Sequence, residues 1–248
     1  MRFVVLVLGV LVGCGGGGGG SSDGGGGGGG GVDLGGGGEK RTLGSDHSGQ
    51  YHLGPVEWSG SFNNACSPYP ASIQSVEGML LAGVANELGA DGSYCDACVE
   101  ITTGTGRTLI ARVVTYGVAN AAGDLDLSSA AYNALSTGEY PRAMSWHLVT
   151  CPTTNPVYLQ FQTMASQWWT SFWVRNPRVA LKRVEVKSAN HAAFTALRHE
   201  TDGTWNDDGG FGAGAFTLRL VGVDDSTLEL SLPGFSGGDL LTGSANLP

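Results

Sequence analysis

The chain has 248 residues, 43 of them glycine, with 14% charged residues and a formal net charge of −9 at pH 7. That length exceeds one small domain and suits two of roughly 100 residues each, while the sparse charge leaves little to solvate long helical surfaces. The acidic balance excludes partners held mainly through their own negative charge, such as nucleic acid or an anionic membrane surface, and favours a neutral ligand.

At the N-terminus, Arg2 is followed by the apolar run Phe3 to Val12. The run is too short to span a bilayer but suits the hydrophobic region of a signal peptide. It ends in Leu11-Val12-Gly13-Cys14, which resembles the lipobox of bacterial lipoproteins. That likeness implies a signal peptide over 1–14 and a lipidated Cys14 as the mature N-terminus; the alternative is an ordinary signal peptide with a stray cysteine. Glycine runs follow at Gly15 to Gly20, Gly24 to Gly31 and Gly35 to Gly38. They have no side chains to bury, so 15–45 reads as a tether, and about 30 such residues span roughly 30 Å. The protein is expected to be exported and lipid-anchored at the cell envelope, on the outer membrane or cell surface, or otherwise secreted.

Residues 46–152 carry short β-branched runs bounded by turn signals: Cys98 to Ile101, Thr108 to Val114 and Ser145 to Val149. Strands are the better assignment. One short helix is expected from Ser128 to Leu135, where Ser128 caps a first turn followed by helix-favouring alanines. In 153–248 the alternation is cleaner. Val157, Leu159 and Phe161 share one face and Tyr158, Gln160 and Gln162 the other; the pattern repeats at Val184 and Val186, at Phe216, Leu218 and Leu220, and at Leu228, Leu230 and Leu232. Half-buried antiparallel strands of this kind make a small β-sandwich. The connection Cys151-Pro-Thr-Thr-Asn-Pro156 is short and carries two prolines, so the two domains are expected to hold a fairly fixed orientation.

With Cys14 set aside, Cys66, Cys95, Cys98 and Cys151 remain, an even number that allows two disulfides in an exported protein. Cys95 and Cys98 have no second C-x-x-C to complete a zinc site, and the five histidines show no ligand spacing, so no metal and no cofactor are expected.

Several segments in order, Cys98-Val-Glu-Ile, Gly123-Asp-Leu-Asp-Leu-Ser128, Ser145-Trp-His-Leu-Val, Ser166-Gln-Trp-Trp169, Val174-Arg-Asn176, Gly212-Ala-Gly214 and Gly243-Ser-Ala-Asn-Leu-Pro248, resemble the bacterial expansins. The likeness covers roughly Gly49 to Pro248, and LDLS combined with a later SxWW is specific where either alone is weak. It implies an all-β protein, a six-stranded double-psi β-barrel followed by an immunoglobulin-like sandwich of the family-63 carbohydrate-binding type. It also implies disulfides Cys66 with Cys95 and Cys98 with Cys151.

Glycosidic hydrolysis generally requires two carboxyl groups. By the resemblance, Asp126 matches the proton donor of the related family-45 endoglucanases and is assigned a sugar-facing role, while Asp124, two residues earlier, is read as a solvated turn residue. The slot of the base Asp falls on His52 or Leu53, so the second carboxylate is expected to be missing. Other departures are Thr115 where the family has Asp, Gly117 where it has a groove Tyr unless Tyr116 substitutes, Gln162 for a platform Lys, and Gly203 for the third platform aromatic.

Flat aromatic rings suit the face of a β-1,4-glucan, since axial C–H groups stack on the ring and desolvate apolar area on both sides. Trp168 and Trp169 match the family's surface pair, and Trp173 and Trp205 are expected to join the same sugar-binding line. Neighbours on a regular strand point to opposite faces, so exposure of both Trp168 and Trp169 requires a bulge or a strand start. Trp58 and Tyr69 are assigned to ordinary packing and Trp146 to the barrel core. The resemblance implies a monomeric, nonenzymatic protein that binds cellulose or a neutral wall polysaccharide and loosens it. The alternatives are a barrel that cleaves glycan, as an endoglucanase or a lytic transglycosylase of the rare-lipoprotein-A type, and a passive polysaccharide adhesin.

Overall fold

The computed structural model describes residues 39–58, 65–66, 68–77, 80–117 and 121–248. The expected signal segment, Cys14 and the glycine runs lie outside the described residues; the end of the expected tether, 39–45, is instead packed on the fold, where Thr42 bridges Val149 and Leu43 N donates to Leu148 O at 2.8 Å.

Six strands close a barrel: β1 (His47–Leu53), β2 (Leu81–Val84), β3 (Cys98–Thr103), β4 (Thr108–Tyr116), β5 (Leu125–Leu127) and β6 (Ala143–Val149), in the order β1-β5-β2-β4-β3-β6. The pairs β1/β5 and β2/β4 are parallel and the rest antiparallel, the crossed connectivity of a double-psi barrel. Val99 and Ile101 of β3 alternate inward beside Leu109, Ala111 and Val113 of β4 and Trp146 of β6, and full burial of each such side chain contributes about 1.5–3 kcal/mol. The Trp146 indole N–H donates to Gly123 O at 2.7 Å, which satisfies its one polar atom inside the core. The second half of β4 is buried on both faces, because Val114 on its outer side packs with Val56, Trp58, Cys66, Tyr69 and Ile73. Trp58 and Tyr69 thus serve as packing groups, their rings 5.0 Å apart edge to face.

Among the described residues, three short helices decorate the barrel: α1 (Ala71–Glu77), α2 (Asn86–Gly89) and α3 (Ser129–Leu135). The Ser128 hydroxyl accepts from Ala131 N at the start of α3, as its position before the alanine-rich run requires.

The remaining strands form a sandwich. One sheet holds β9 (Leu181–Ser188), β10 (His191–Ala196), β13 (Phe216–Gly222) and β14 (Thr227–Leu232); the other holds β7 (Tyr158–Phe161), β8 (Thr170–Arg175), β11 (Arg198–His199), β12 (Trp205–Asp207) and β15 (Leu240–Thr242). Leu159, Phe161, Phe172 and Val174 from one sheet meet Val184, Val186, Leu218, Leu220 and Leu230 from the other. The disulfides are Cys66–Cys95 and Cys98–Cys151.

The outer face of the five-stranded sheet docks on the barrel around a buried cation, Arg175. Arg175, fully buried on β8, donates Nη1 to Asp96 Oδ2 at 2.6 Å, Nε to Gln160 Oε1 at 2.8 Å and Nη2 to the carbonyls of Cys66 and Pro68 at 2.8 and 2.9 Å. Its guanidinium also lies 3.9 Å from the Tyr69 ring centre and 4.9 Å from that of Trp173. Around it, Arg112 of the barrel reaches Asn176 Oδ1 at 3.2 Å. A second-domain turn closes against the first disulfide at Gly203, where φ is +80° and an added Cβ would sit 2.7 Å from Cys95 Cβ. The position aligned with the family's third aromatic therefore has no room for a ring.

Candidate functional site

The barrel carries a group of ionisable side chains where β1 and β5 run parallel. His52 pairs in register with Asp126, and its Nε2 lies 3.3 Å from Asp124 Oδ2. Asp124 is not the solvated turn residue expected: it is buried, and its Oδ1 accepts from Gln50 N at 2.8 Å. The residue stands just before β5, where the chain packs closely against Ser48 and Gly49 of β1, which removes it from water. Asp126 is buried as well. Desolvation pushes its carboxyl above the ordinary range, opposed by nearby His52 and reinforced by the Asp124 charge.

Gly54 lies directly over Asp126, since a Cβ there would approach Asp126 Cβ to 2.6 Å and Oδ2 to 2.8 Å. Gly54 also lines a surface pocket of about 240 Å³ with Glu57, Trp58, Gln74 and Ser128 to Ala130. Gly54 thus touches both the pocket and the Asp126 side chain, which does not itself line the pocket. Glu57, a second carboxylate, stands on the pocket wall; the sequence offers no strand or motif to single it out. Leu53 is 59% exposed, so of the two residues at the missing base position only His52 meets the acids. Thr115, at the other departure, is fully buried and accepts from Ala65 N at 2.9 Å.

The tryptophans part company. Ser166 and Trp169 bridge each other as a two-residue turn, with Ser166 N to Trp169 O at 2.7 Å, and the Ser166 hydroxyl accepts from Trp168 N at 3.3 Å. Gly212 N donates to Gln167 O at 2.9 Å and fixes the turn tip. Trp168 sits at that tip and is 70% exposed. Trp169 is half-buried at the entry to β8, and its indole N–H bonds Asp208. The hydrogen bond from Arg198 is the main reason the Asp208 carboxyl lies below its ordinary range. Trp173 and Trp205 differ from expectation, each being only 5% exposed. Trp173 shares a face with Trp169, but the barrel and the 202–203 turn cover it, its indole N–H donating to Asp202 O at 2.9 Å. Trp205 pairs across from Phe172 and faces the sandwich core, stacked 4.3 Å from His199. Neither presents a ring to a flat ligand.

These two features, an acid-bearing groove on a double-psi barrel and an exposed indole on the attached sandwich, can be set beside known proteins. A crystal structure of a mutant Clavibacter michiganensis expansin in complex with cellohexaose superposes with a TM-score of 0.67 at 18% identity, covering 82% of this chain and 98% of that one. The apo form gives 0.66 at 19% identity with the same coverage. Expansin-like protein 6 of Dictyostelium discoideum is 22% identical over 163 residues, and expansin-like protein 3 is 24% identical over 161. The chain is expansin-like. These matches take in 62% of the expansin-like chain but only 56% and 47% of the two curated relatives, so it spans about half their length. No protein-family model matches it.

Within this expansin-like protein the sequence motifs locate Asp126 and the Trp168–Trp169 pair, while the supporting groups come from distant segments. His52 and Asp124 meet only through β1/β5 pairing, and Asp208, in the turn after β12, reaches Trp169 while Arg198 of β11 pairs with that carboxylate at 2.6 Å. Long-range pairing of this kind leaves no local pattern.

Proposed function

We propose that this protein binds a neutral β-linked wall polysaccharide, cellulose or a related glucan, and loosens it without cutting it. The observation that carries this is Trp168, a large apolar ring 70% exposed on a hydrogen-bonded turn. An indole held open in this way costs little ordering on binding, and stacking against a sugar face contributes about 1–3 kcal/mol. Trp169 extends the surface. The barrel groove beneath Gly54, with Asp126 behind it, engages a second chain segment, so that one molecule straddles two glycan strands and weakens their mutual hydrogen bonds. The lipidated Cys14, the tether and a monomeric state belong to the same proposal, as does assignment of 46–152 and 153–248 to the two domains.

The test is a pull-down on cellulose against purified peptidoglycan, with wild type and Trp168→Ala compared. Cellulose retention that falls about 5- to 150-fold in the variant matches the stacking energy above; equal retention of both proteins refutes the platform. Wall-creep activity without release of reducing sugar completes the reading. A cleaving barrel is the second reading, favoured by Glu57 on the pocket wall and by the His52–Asp124 pair beside Asp126. Reducing sugar from amorphous cellulose, or anhydromuropeptides from sacculi, lost in Asp126→Asn, decides for it.

A further inference from the structure

Beside Trp168 the sandwich opens into a second, larger cavity of about 560 Å³, within the range of small-ligand sites. One wall is the Trp168 turn, the other two loops at the end of the sandwich, 212–214 and 233–237. None of the twelve lining residues is charged. Its aromatic base is rigid: Phe235 stacks 4.1 Å from Phe161 with the rings 9° from parallel, and meets Phe211 and Phe216 edge-on.

Glycine lets the loops around this space pack closely. Gly237 faces Thr163 and Ala165 carbonyls so closely that no Cβ fits, and Gly212, at φ +77°, would press a Cβ to 2.8 Å from Asn190 Oδ1. Gly234 lies against Gly214 O, so the two loops meet and fix each other. The result is a preformed, uncharged recess in which the Trp168 and Phe235 rings stand among main-chain amides and carbonyls and the side chains of Ser166, Gln167 and Ser236, opening beside the ring on which a glycan backbone would lie.

Resting on the polysaccharide reading above, we infer that this recess is a subsite for a neutral sugar substituent branching from the glycan backbone stacked on Trp168. A linear chain lying flat on an indole has nothing to place in a hollow beside it, whereas a pendant sugar projects sideways into such a space. The absence of charge on the lining disfavours uronic acids and selects neutral pentoses or hexoses.

The experiment titrates the full chain with cellohexaose and with a neutral xyloglucan oligosaccharide, following binding calorimetrically. Wild type is expected to prefer the branched ligand at least about fivefold, equivalent to roughly 1 kcal/mol. Ala213→Trp and Ser236→Trp, which fill the recess from exposed rim positions, are each expected to bring that ratio near one; two variants guard against a fold defect in either, checked by near-ultraviolet circular dichroism. Equal wild-type affinity for both ligands, with Trp168→Ala losing both, overturns the recess while the platform stands. A branched preference that survives in folded filling variants also overturns it. Binding of neither ligand by wild type removes the platform reading itself, and the subsite with it.

Discussion

Replacing Arg175 with methionine tests how the two domains are joined. The substitution keeps most of the stem's volume but removes the charge that faces Asp96, whose Oδ1 has no partner and whose Oδ2 would retain only the 3.2 Å bond from Tyr69. Breaking one side of a buried ion pair costs about 3–5 kcal/mol, and the Cys66 and Pro68 carbonyls lose a donor as well. For a folded unit of about 200 residues each kcal/mol moves Tm by about 2–4 °C, so the expected fall is about 6–20 °C. Scanning calorimetry reads it, and the loss of docking should also split one transition into two. Asp96→Asn in the Arg175→Met background should return part of the loss, because the uncompensated carboxylate is then gone. A single transition within about 1 kcal/mol of wild type, or a double-mutant cycle with no coupling, refutes the assignment of Arg175 as the joint.

The raised pKa of Asp126 makes its ionised form unfavourable in the folded protein, so its contribution to stability is lost as pH rises from the unfolded carboxylate value through the folded one. Asp126→Asn should therefore raise Tm relative to wild type at pH 7, with the gain vanishing on acidification below the ordinary aspartate range; melting curves across pH check the sign. Gly54→Ala places a methyl against Asp126 and should destabilise by about 1–3 kcal/mol in urea titration. Removing Cys98–Cys151 with paired serines opens a loop of sequence separation 53 and should lower stability by about 4 kcal/mol, measured the same way.

The sandwich was legible because its strands alternate cleanly, Val157 to Gln162 and Phe216 to Leu220 each presenting one apolar face to the core. Parity tells which face a residue takes but not what covers that face. Trp173 lies on the outer side of its sheet, as its spacing from Trp169 requires, and is nevertheless buried because the barrel docks there. Trp205 belongs to a three-residue strand too short to show a period. The split between Trp168 and Trp169 follows from a two-residue turn whose partner atoms lie in the 210–212 loop, over forty residues away. In the barrel, the motif around Asp126 marks the acid, whereas Glu57 follows β1 in a segment without a motif and the His52–Asp124 contact depends on parallel pairing that no local pattern encodes.

The joint at Arg175 also ties the docking of the sandwich to the first disulfide. The arginine grips the carbonyl of Cys66, and the Gly203 turn rests on Cys95, so the surface that receives the second domain is shaped by the bridge between those two cysteines. A chain with free thiols is expected to present a looser seat to the sandwich, so the bridge steadies the docking surface as well as the barrel loop it closes.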